Sequence, residues 1–258
     1  MTTFTRSDDL RGAEFAGADL RGARFVGAGL QGARFVEADL SGAVMRGVEI
    51  RGADIDAPWL PDGGSLLVNG VDVIPYVEAE LDRRFPGRAE RRAGDPEGLR
   101  ASWTALERTW AATLDRAAAL PAGTVDVSVA GEWSFAQTLR HLVLATDMWL
   151  RRGILGLDQP FHPLGQLDTG TAREVAAGTT QTPPYAEVLA VRAGRVAMVR
   201  DFLATVTPDE LAAPRQNPHD PDQPETVLSC LHVILEEEWE HHRYAVRDLD
   251  TIAAERAR

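Results

Sequence analysis

Large apolar residues recur at every fifth position over the start of the chain. They are Leu10, Phe15, Leu20, Phe25, Leu30, Phe35, Leu40, Met45, Ile50 and Ile55. Two positions before each of them the residue is small at most repeats, with alanine at 13, 18, 23, 28, 33, 38, 43 and 53. A period of five fits neither a helix nor a strand. It predicts a chain that turns a corner every five residues, with one large and one small side chain pointing inward each time.

This stretch, from about Asp8 to Ala57, resembles the pentapeptide-repeat family, whose pattern is A(D/N)Lxx. The resemblance implies a short right-handed quadrilateral β-helix with four repeats per coil, which gives about two and a half coils here. Because each coil buries its apolar side chains only against a neighbour, so short a stack needs a cap. We expect the rest of the protein to provide it.

A connecting region follows the repeats. Asn69-Gly70 between apolar residues predicts a two-residue β-hairpin. Pro75 suits the first turn of a short helix that ends before Pro86. We therefore divide the chain into a repeat domain at 1–60, a connector at 61–92 and a helical domain at 93–258.

Four longer helical patterns fill the helical domain. They begin at Asp95-Pro96, at Ser134, at Tyr185 and from Glu225 onward. Four amphipathic helices of about 20 residues predict a four-helix bundle. The connection from Asp158 to Pro184 is long for a bundle, and long loops often shape a binding site.

The last predicted helix carries polar residues on its apolar face. Spacings of three and four define one buried stripe: Leu228, Leu231, Leu235, Glu238, His242, Ala245 and Leu249. Glu238 and His242 lie near the middle of this stripe, whereas Glu237 and His241 lie at or past its edge. A buried carboxylate or imidazole is costly unless it is paired or bound to metal. Glu and His four residues apart project side by side, so they can hold one cation.

A third ligand should come from another helix. His141 is the only histidine on the first three predicted helices. With Glu238 and His242 it gives three ligands and leaves coordination positions open, as in catalytic metal sites. Two alternatives stay open: a buried His-Glu-His network without metal, and the register of Glu237 with His241, which has the same spacing.

The region from about Pro96 to Leu249 resembles the DinB/YfiT-like superfamily of metal-binding four-helix bundles. The segments that carry the resemblance are "GEWSFAQTLRHLV" and "EWEHHRYA", which are similar to the family patterns W-S-x-x-x-x-L-x-H-L and H-x-x-H-H-R-G-Q. The resemblance implies a divalent metal on His141, Glu238 and His242. The chain departs from the pattern at Glu238, where many members have histidine, and at Tyr244-Ala245, which replace Gly-Gln.

The glutamate is similar to the thiol-dependent branch that includes mycothiol-dependent maleylpyruvate isomerase, with its His, Glu, His set. The implied function is metal-dependent transfer or isomerisation with a low-molecular-weight, mycothiol-like thiol and a small-molecule substrate. Such a site accepts several first-row ions, so zinc, nickel, iron and manganese all remain candidates. Arg243 or Arg247 could meet an acidic substrate, although solvated arginines are the simpler interpretation.

Charge and composition exclude several further classes of function. The net charge of -12 argues against binding to nucleic acid or to an anionic membrane. Residues 1–60 carry seven arginines and nine acids, so they lack the strong negative charge that a DNA-mimicking repeat protein needs. Cys230 is the only cysteine, which rules out an internal disulfide. With no signal-peptide pattern and no run of about 18 apolar residues, we expect a cytoplasmic protein.

A second class of function also fits the sequence. The chain could be a non-enzymatic scaffold or small-molecule sensor, with the β-helix as a surface for a protein partner or a second copy. We expect Cys230 to be a buried apolar residue and His232 a packing or interface residue. His162 could cover the site from its loop, and we assign His219 no role. We interpret Trp133 and Trp149 as ordinary bundle packing.

Overall fold

The computed structural model of the protein describes residues 3–5, 8–62, 64–166 and 182–256. The chain divides into two compact units, Met1–Ile55 and Asp56–Arg258. Much of the long connection predicted at 158–184 lies outside the described residues.

The first unit turns at every pentapeptide. The N–H of Ala13 donates to the carbonyl of Leu10 at 3.0 Å, and the equivalent bond recurs at ten-residue intervals up to Ala53 and Ile50. Most corners place a glycine in the left-handed region, where a side chain would strain the backbone. These glycines are at 12, 17, 22, 27, 32, 42, 47 and 52, with φ between 60° and 75°. The predicted five-residue corner is confirmed.

The side chains of this unit depart from the prediction. In its described residues there are no strands, and the repeating apolar side chains are not buried: Leu10 is 44% exposed and Ile55 is 64% exposed. A closed β-helix is therefore not formed. The backbone hydrogen bonds found here close single corners rather than join neighbouring coils, so no apolar side chain gains the neighbour it needs for burial.

The second unit opens with the predicted hairpin. Strand β1 (Leu67–Val68) pairs antiparallel with β2 (Val71–Asp72). Asn69 and Gly70 both have positive φ, 51° and 84°, as a two-residue hairpin turn of this type requires. Helix α1 (Ile74–Arg84) follows, with Pro75 in its first turn, so both predictions for this region are confirmed.

Longer helices make up most of the unit. They are α2 (Pro96–Ala118), α3 (Phe135–Thr146) with a π-helical continuation at Asp147–Ile154, α4 (Tyr185–Thr205) and α6 (Val227–Arg256). Between α4 and α6 lie the short helix α5 (Pro208–Leu211) and an antiparallel pair, β3 (Pro214–Gln216) with β4 (Pro224–Thr226).

Two of the helix starts follow directly from the sequence. The carboxylate of Asp95 accepts from the N–H groups of Glu97 and Gly98 at 3.0 Å each, which caps α2. Ser134 and Gln137 form a reciprocal capping box at the start of α3. These caps set where the two helices begin, and the start of α3 fixes the position of His141 two turns later.

One hydrophobic core joins α2, α3, α4 and α6. Its buried members include Trp103 from α2, Leu139 from α3, Val199 from α4, and Leu231 and Leu249 from α6. The region predicted as a bundle is thus a packed helical unit. Of the helices in the described ranges, none combines the length and apolar character that crossing a bilayer requires.

Candidate metal centre

Four glutamates of α6 each meet a different set of basic side chains. Glu236 pairs with Arg91, Glu237 with His141 and His241, Glu238 with Arg192, and Glu240 with Arg88 and Arg243. Consecutive helix residues point about 100° apart, so one short segment can reach several neighbouring elements. Of the four, Glu237 is the one that meets imidazoles.

Glu237 draws two histidines together at the interface of α3 and α6. Its Oε2 atom lies 3.2 Å from Nε2 of His141 and 3.3 Å from Nδ1 of His241. Candidate ligand atoms of the three residues all lie within 4.8 Å of one another. Ligands of a zinc-like ion lie about 2.0–2.2 Å from its centre, so small side-chain movements would let one ion contact all three. No other group of three such side chains comes this close within the described ranges.

An aromatic side chain forms one wall of this cluster. The rings of His141 and His241 stack with centroids 4.5 Å apart. Trp133 lies 4.7 Å from the His141 ring and 6.1 Å from the His241 ring. It was interpreted above as ordinary bundle packing, but it contacts both histidines and is therefore part of the candidate site.

Hydrogen bonds of the histidines indicate which ring nitrogens can bind a cation. Nδ1 of His241 lies 2.8 Å from the main-chain carbonyl oxygen of Glu237. Because a carbonyl only accepts, Nδ1 carries the hydrogen. The nitrogen of His241 left to bind a cation is therefore Nε2, and the 3.3 Å approach of Nδ1 to Glu237 is not a ligand contact. Nδ1 of His141 is buried with no hydrogen-bond partner in the described part of the chain. The nitrogen of His141 that meets Glu237 is Nε2, so Nε2 and not the orphan Nδ1 is its candidate ligand atom. Two imidazoles and one carboxylate are a donor set that fits a divalent metal.

The charge of Glu237 also suits a cation. Burial by itself raises the pKa of its carboxyl, but the hydrogen bond from His141 and the charges of His241 and His141 outweigh that effect, so the pKa lies below its ordinary value. Metal ligands of this type must be deprotonated. The three side chains keep 13–15% of their surface exposed, which leaves the cluster open to a small molecule.

The register centred on Glu238 and His242 is not the one that the structure brings to His141. Both carboxylate oxygens of Glu238 lie 2.5 Å from Nη2 of Arg192 on α4. Nε2 of His242 is 2.8 Å from Oγ1 of Thr113 on α2. The stripe is buried as predicted, but its centre faces α2 and α4. His141 on α3 is reached from the edge of the stripe, where the alternative pair Glu237 and His241 lies.

Burial dominates the titration of this central pair. The pKa of the Glu238 carboxyl is raised by burial, although Arg192 acts against that effect. Burial lowers the pKa of His242 to about 4, so the ring is neutral near pH 7. Its ring contacts are uncharged: the aromatic rings of Phe85, Trp110 and Trp239 all approach it edge-on. These residues form a core network.

The other candidate residues lie outside the cluster. His232 donates to the carbonyl of Ala93, His162 accepts the N–H of Leu164 through Nδ1, the ring of His219 lies 5.4 Å from Trp149, and Cys230 is fully buried. The predicted burial of Cys230 is confirmed. Burial raises the pKa of the Cys230 thiol to about 11.

Two imidazoles and a carboxylate held between α3 and α6 define a helical protein with a candidate metal centre. The DinB superfamily matches residues 105–245, which is more than half of the chain and includes all three residues of the cluster. The chain therefore belongs to the DinB superfamily. Pentapeptide repeats match in eight copies over residues 9–41 and 23–56. Neither the curated proteins nor the solved structures give a significant match to the chain.

Proposed function

We propose that the helical unit holds one divalent transition-metal ion through His141, Glu237 and His241, and that this site serves a thiol-dependent transferase or isomerase. The observation that carries the proposal is the convergence of the three ligand atoms within 4.8 Å. Two nitrogens and one carboxylate oxygen leave coordination positions open, as in catalytic rather than structural sites.

The residues around the cluster have separate roles in this proposal. Glu237 supplies the negative charge, and its main-chain carbonyl orients the ring of His241. Trp133 covers the stacked imidazoles on one side and limits the approach of water. A divalent ion bound here would stabilise a thiolate at neutral pH and polarise a substrate carbonyl.

The choice of a thiol rests on the donor set and on the absence of another nucleophile from the cluster. Glu237 and His241 have the same Glu-x-x-x-His spacing as Glu238 and His242, the pair on which the resemblance to the mycothiol-dependent branch rests. Cys230, the only cysteine, is fully buried and its pKa is raised, so it is a poor nucleophile. We therefore propose an external low-molecular-weight thiol, mycothiol-like in type, as the reacting group.

Elemental analysis of the purified full chain tests the metal site. We expect about one equivalent of zinc, nickel, iron or manganese, recovered on adding the ion after chelation. Less than a tenth of an equivalent, with no recovery on adding any of these ions, would exclude the site.

Cobalt substitution tests the thiol. Binding of a thiol to the cobalt-loaded protein should produce a sulfur-to-cobalt absorption band and shift the ligand-field bands. A protein that holds cobalt with these bands unchanged by every thiol tested has a metal site but not the proposed function.

One observation favours a second candidate, a scaffold that recruits a protein partner or a second copy through the repeats. The apolar row from Leu10 to Ile55 is exposed, and a contiguous exposed apolar surface is typical of an interaction site. The finer fold implied for the helical unit, a four-helix bundle, is part of our proposal. Loss of self-association or of partner capture on deleting residues 8–55, with metal binding unchanged, would support the scaffold.

A further inference from the structure

Three side chains that follow the metal cluster on α6 converge on one carboxylate. Arg243 binds Asp56 end-on through two nitrogens, with Nη2 to Oδ1 at 2.6 Å and Nη1 to Oδ2 at 3.1 Å. The hydroxyl of Tyr244 donates to Oδ1 of Asp56 at 3.2 Å, and Nη1 of Arg247 lies 3.5 Å from Oδ2. Asp56 thus meets a bidentate fork plus two further donors, an arrangement that recognises carboxylates.

This group of donors adjoins the candidate metal centre. The ring of Tyr244 packs edge-on against the ring of His241 with centroids 5.6 Å apart. The guanidinium of Arg243 stacks over the same tyrosine ring at 4.5 Å. One ring contact and one hydrogen bond therefore separate His241 from the carboxylate of Asp56.

We propose that Arg243, Tyr244 and Arg247 form a carboxylate subsite for the thiol ligand, and that Asp56 occupies this subsite as an internal stand-in. The inference rests on the proposed function, and it specifies the ligand as a thiol that also carries a carboxylate. Asp56 lies outside any helix or strand, and a third of its side chain is exposed. It can therefore leave the subsite without breaking a regular element.

Because of the surrounding charges, a ligand carboxylate must replace Asp56 in the subsite rather than bind beside it. Arg243 also binds Glu240, and Arg247 also binds Glu132 and Asp248. Both arginines thus keep a carboxylate partner when Asp56 withdraws, and a second anion added beside Asp56 would be repelled. A single carboxylate can replace Asp56 charge for charge. A phosphate dianion would bring excess negative charge, so the subsite favours a carboxylate.

A pair of matched thiols tests the subsite on the cobalt-loaded full chain. Glutathione and its diethyl ester share the thiol and differ in their carboxylates. The ratio of their dissociation constants, ester over acid, measures carboxylate recognition and is read from the cobalt absorption bands. We expect a ratio modestly above one in the native protein. It should rise about tenfold in Asp56→Asn, because a tethered competitor acts at an effective concentration in the millimolar range or above.

Further variants test which side chains recognise the carboxylate. Adding Arg243→Gln to Asp56→Asn should return the ratio to one. Asp62→Asn and Arg92→Gln, which break an exposed ion pair of the same unit, should leave it at the native value. If Asp56→Asn fails to fold, Tyr244→Phe replaces it, because loss of one donor should lower the native ratio.

The experiment distinguishes failure of the carboxylate subsite from failure of the proposed thiol function. A ratio that is the same in Asp56→Asn and the native protein, with both thiols binding, overturns the subsite and leaves the proposed function standing. Absence of binding by both thiols in every variant overturns the thiol function and the inferred ligand class together.

Discussion

Glu237 and Glu238 are consecutive residues of α6 that bind different parts of the protein. The carboxylate of Glu237 lies within 3.3 Å of two imidazole nitrogens, and that of Glu238 has both oxygens 2.5 Å from Arg192. The first contact is open to solvent at its edge, and the second is buried in the core. The same type of substitution at the two positions should therefore separate metal binding from stability.

We predict that Glu237→Gln weakens metal binding by at least about a hundredfold, because loss of a direct ligand should exceed the 10- to 100-fold cost of a lost supporting partner. Glu238→Gln is the matched control. It should keep one equivalent of metal while lowering the free energy of unfolding, because Arg192 is left buried without its carboxylate. Competition with a chromophoric chelator measures the affinities. Loss of metal in Glu238→Gln, with Glu237→Gln unaffected, would instead favour the central register.

Local sequence patterns predicted much of the helical unit. The capping residues Asp95 and Ser134, the Asn69-Gly70 turn and Pro75 act within a few residues, so their effect can be read from the sequence. The buried stripe of α6 was also predicted. Its seven positions are all at least partly buried, because helical periodicity defines which face turns inward.

The position of the metal cluster could not be read from the same periodicity. The stripe identifies the buried centre of α6 but not which helix faces it, and Arg192 and Thr113 take the central positions. The burial of Arg192 could have been predicted from the sequence, since Arg192 shares the buried face of α4 with Val188 and Val199. A site that must admit a ligand belongs at the edge of a core, which favours the register of Glu237.

In the repeat unit, the sequence predicted the local turns but not the burial of the side chains. The five-residue period predicted its corners, because each corner depends on a local turn and a glycine. Burial of the residues from Leu10 to Ile55 depends on contacts between coils, which a local pattern does not determine.

A second prediction concerns the ion pair between Arg192 and Glu238. Arg192→Leu should destabilise the helical unit by about 3–5 kcal/mol, because it leaves a buried carboxylate without its partner. The double variant Arg192→Leu/Glu238→Leu should recover most of that loss, since replacing both charges with apolar groups is often neutral. The coupling energy is obtained from urea unfolding of four proteins: the native protein, Arg192→Leu, Glu238→Leu and the double variant. A double variant that is as unstable as the sum of the singles would show that the two side chains do not act as a pair.

Cys230 should be inert in the folded protein. The side chain is fully buried, and burial raises the pKa of its thiol to about 11, so both access and thiolate formation are suppressed near pH 7. We expect one thiol per chain to react with a disulfide reagent in 6 M guanidinium, and reaction in buffer to be slower by at least about a hundredfold. Ser41→Cys, at an exposed position, is the control for reagent activity. Rapid labelling of the native chain would contradict the burial.

His242 should make the stability of the metal-free protein depend on pH. Its pKa is about 4 in the folded state because of burial, against about 6.5 in an unfolded chain. Between these values the unfolded state binds more protons, so stability rises with pH. The contribution is complete above about pH 6.5 and is lost as the pH falls towards 4, by about 3 kcal/mol in all.

His242→Gln isolates this effect, because glutamine can bond Thr113 and does not titrate. The variant should be less stable than the native protein at pH 7, where its changed packing against the rings of Trp110 and Trp239 is the only difference. As the pH falls, protonation penalises only the native protein, so the gap in unfolding free energy should narrow. Urea midpoints at several pH values between 7 and 4, with chelator present, measure that gap. A gap that stays constant over this range would mean that His242 is already charged or solvated in the folded state, contrary to its enclosure by uncharged rings.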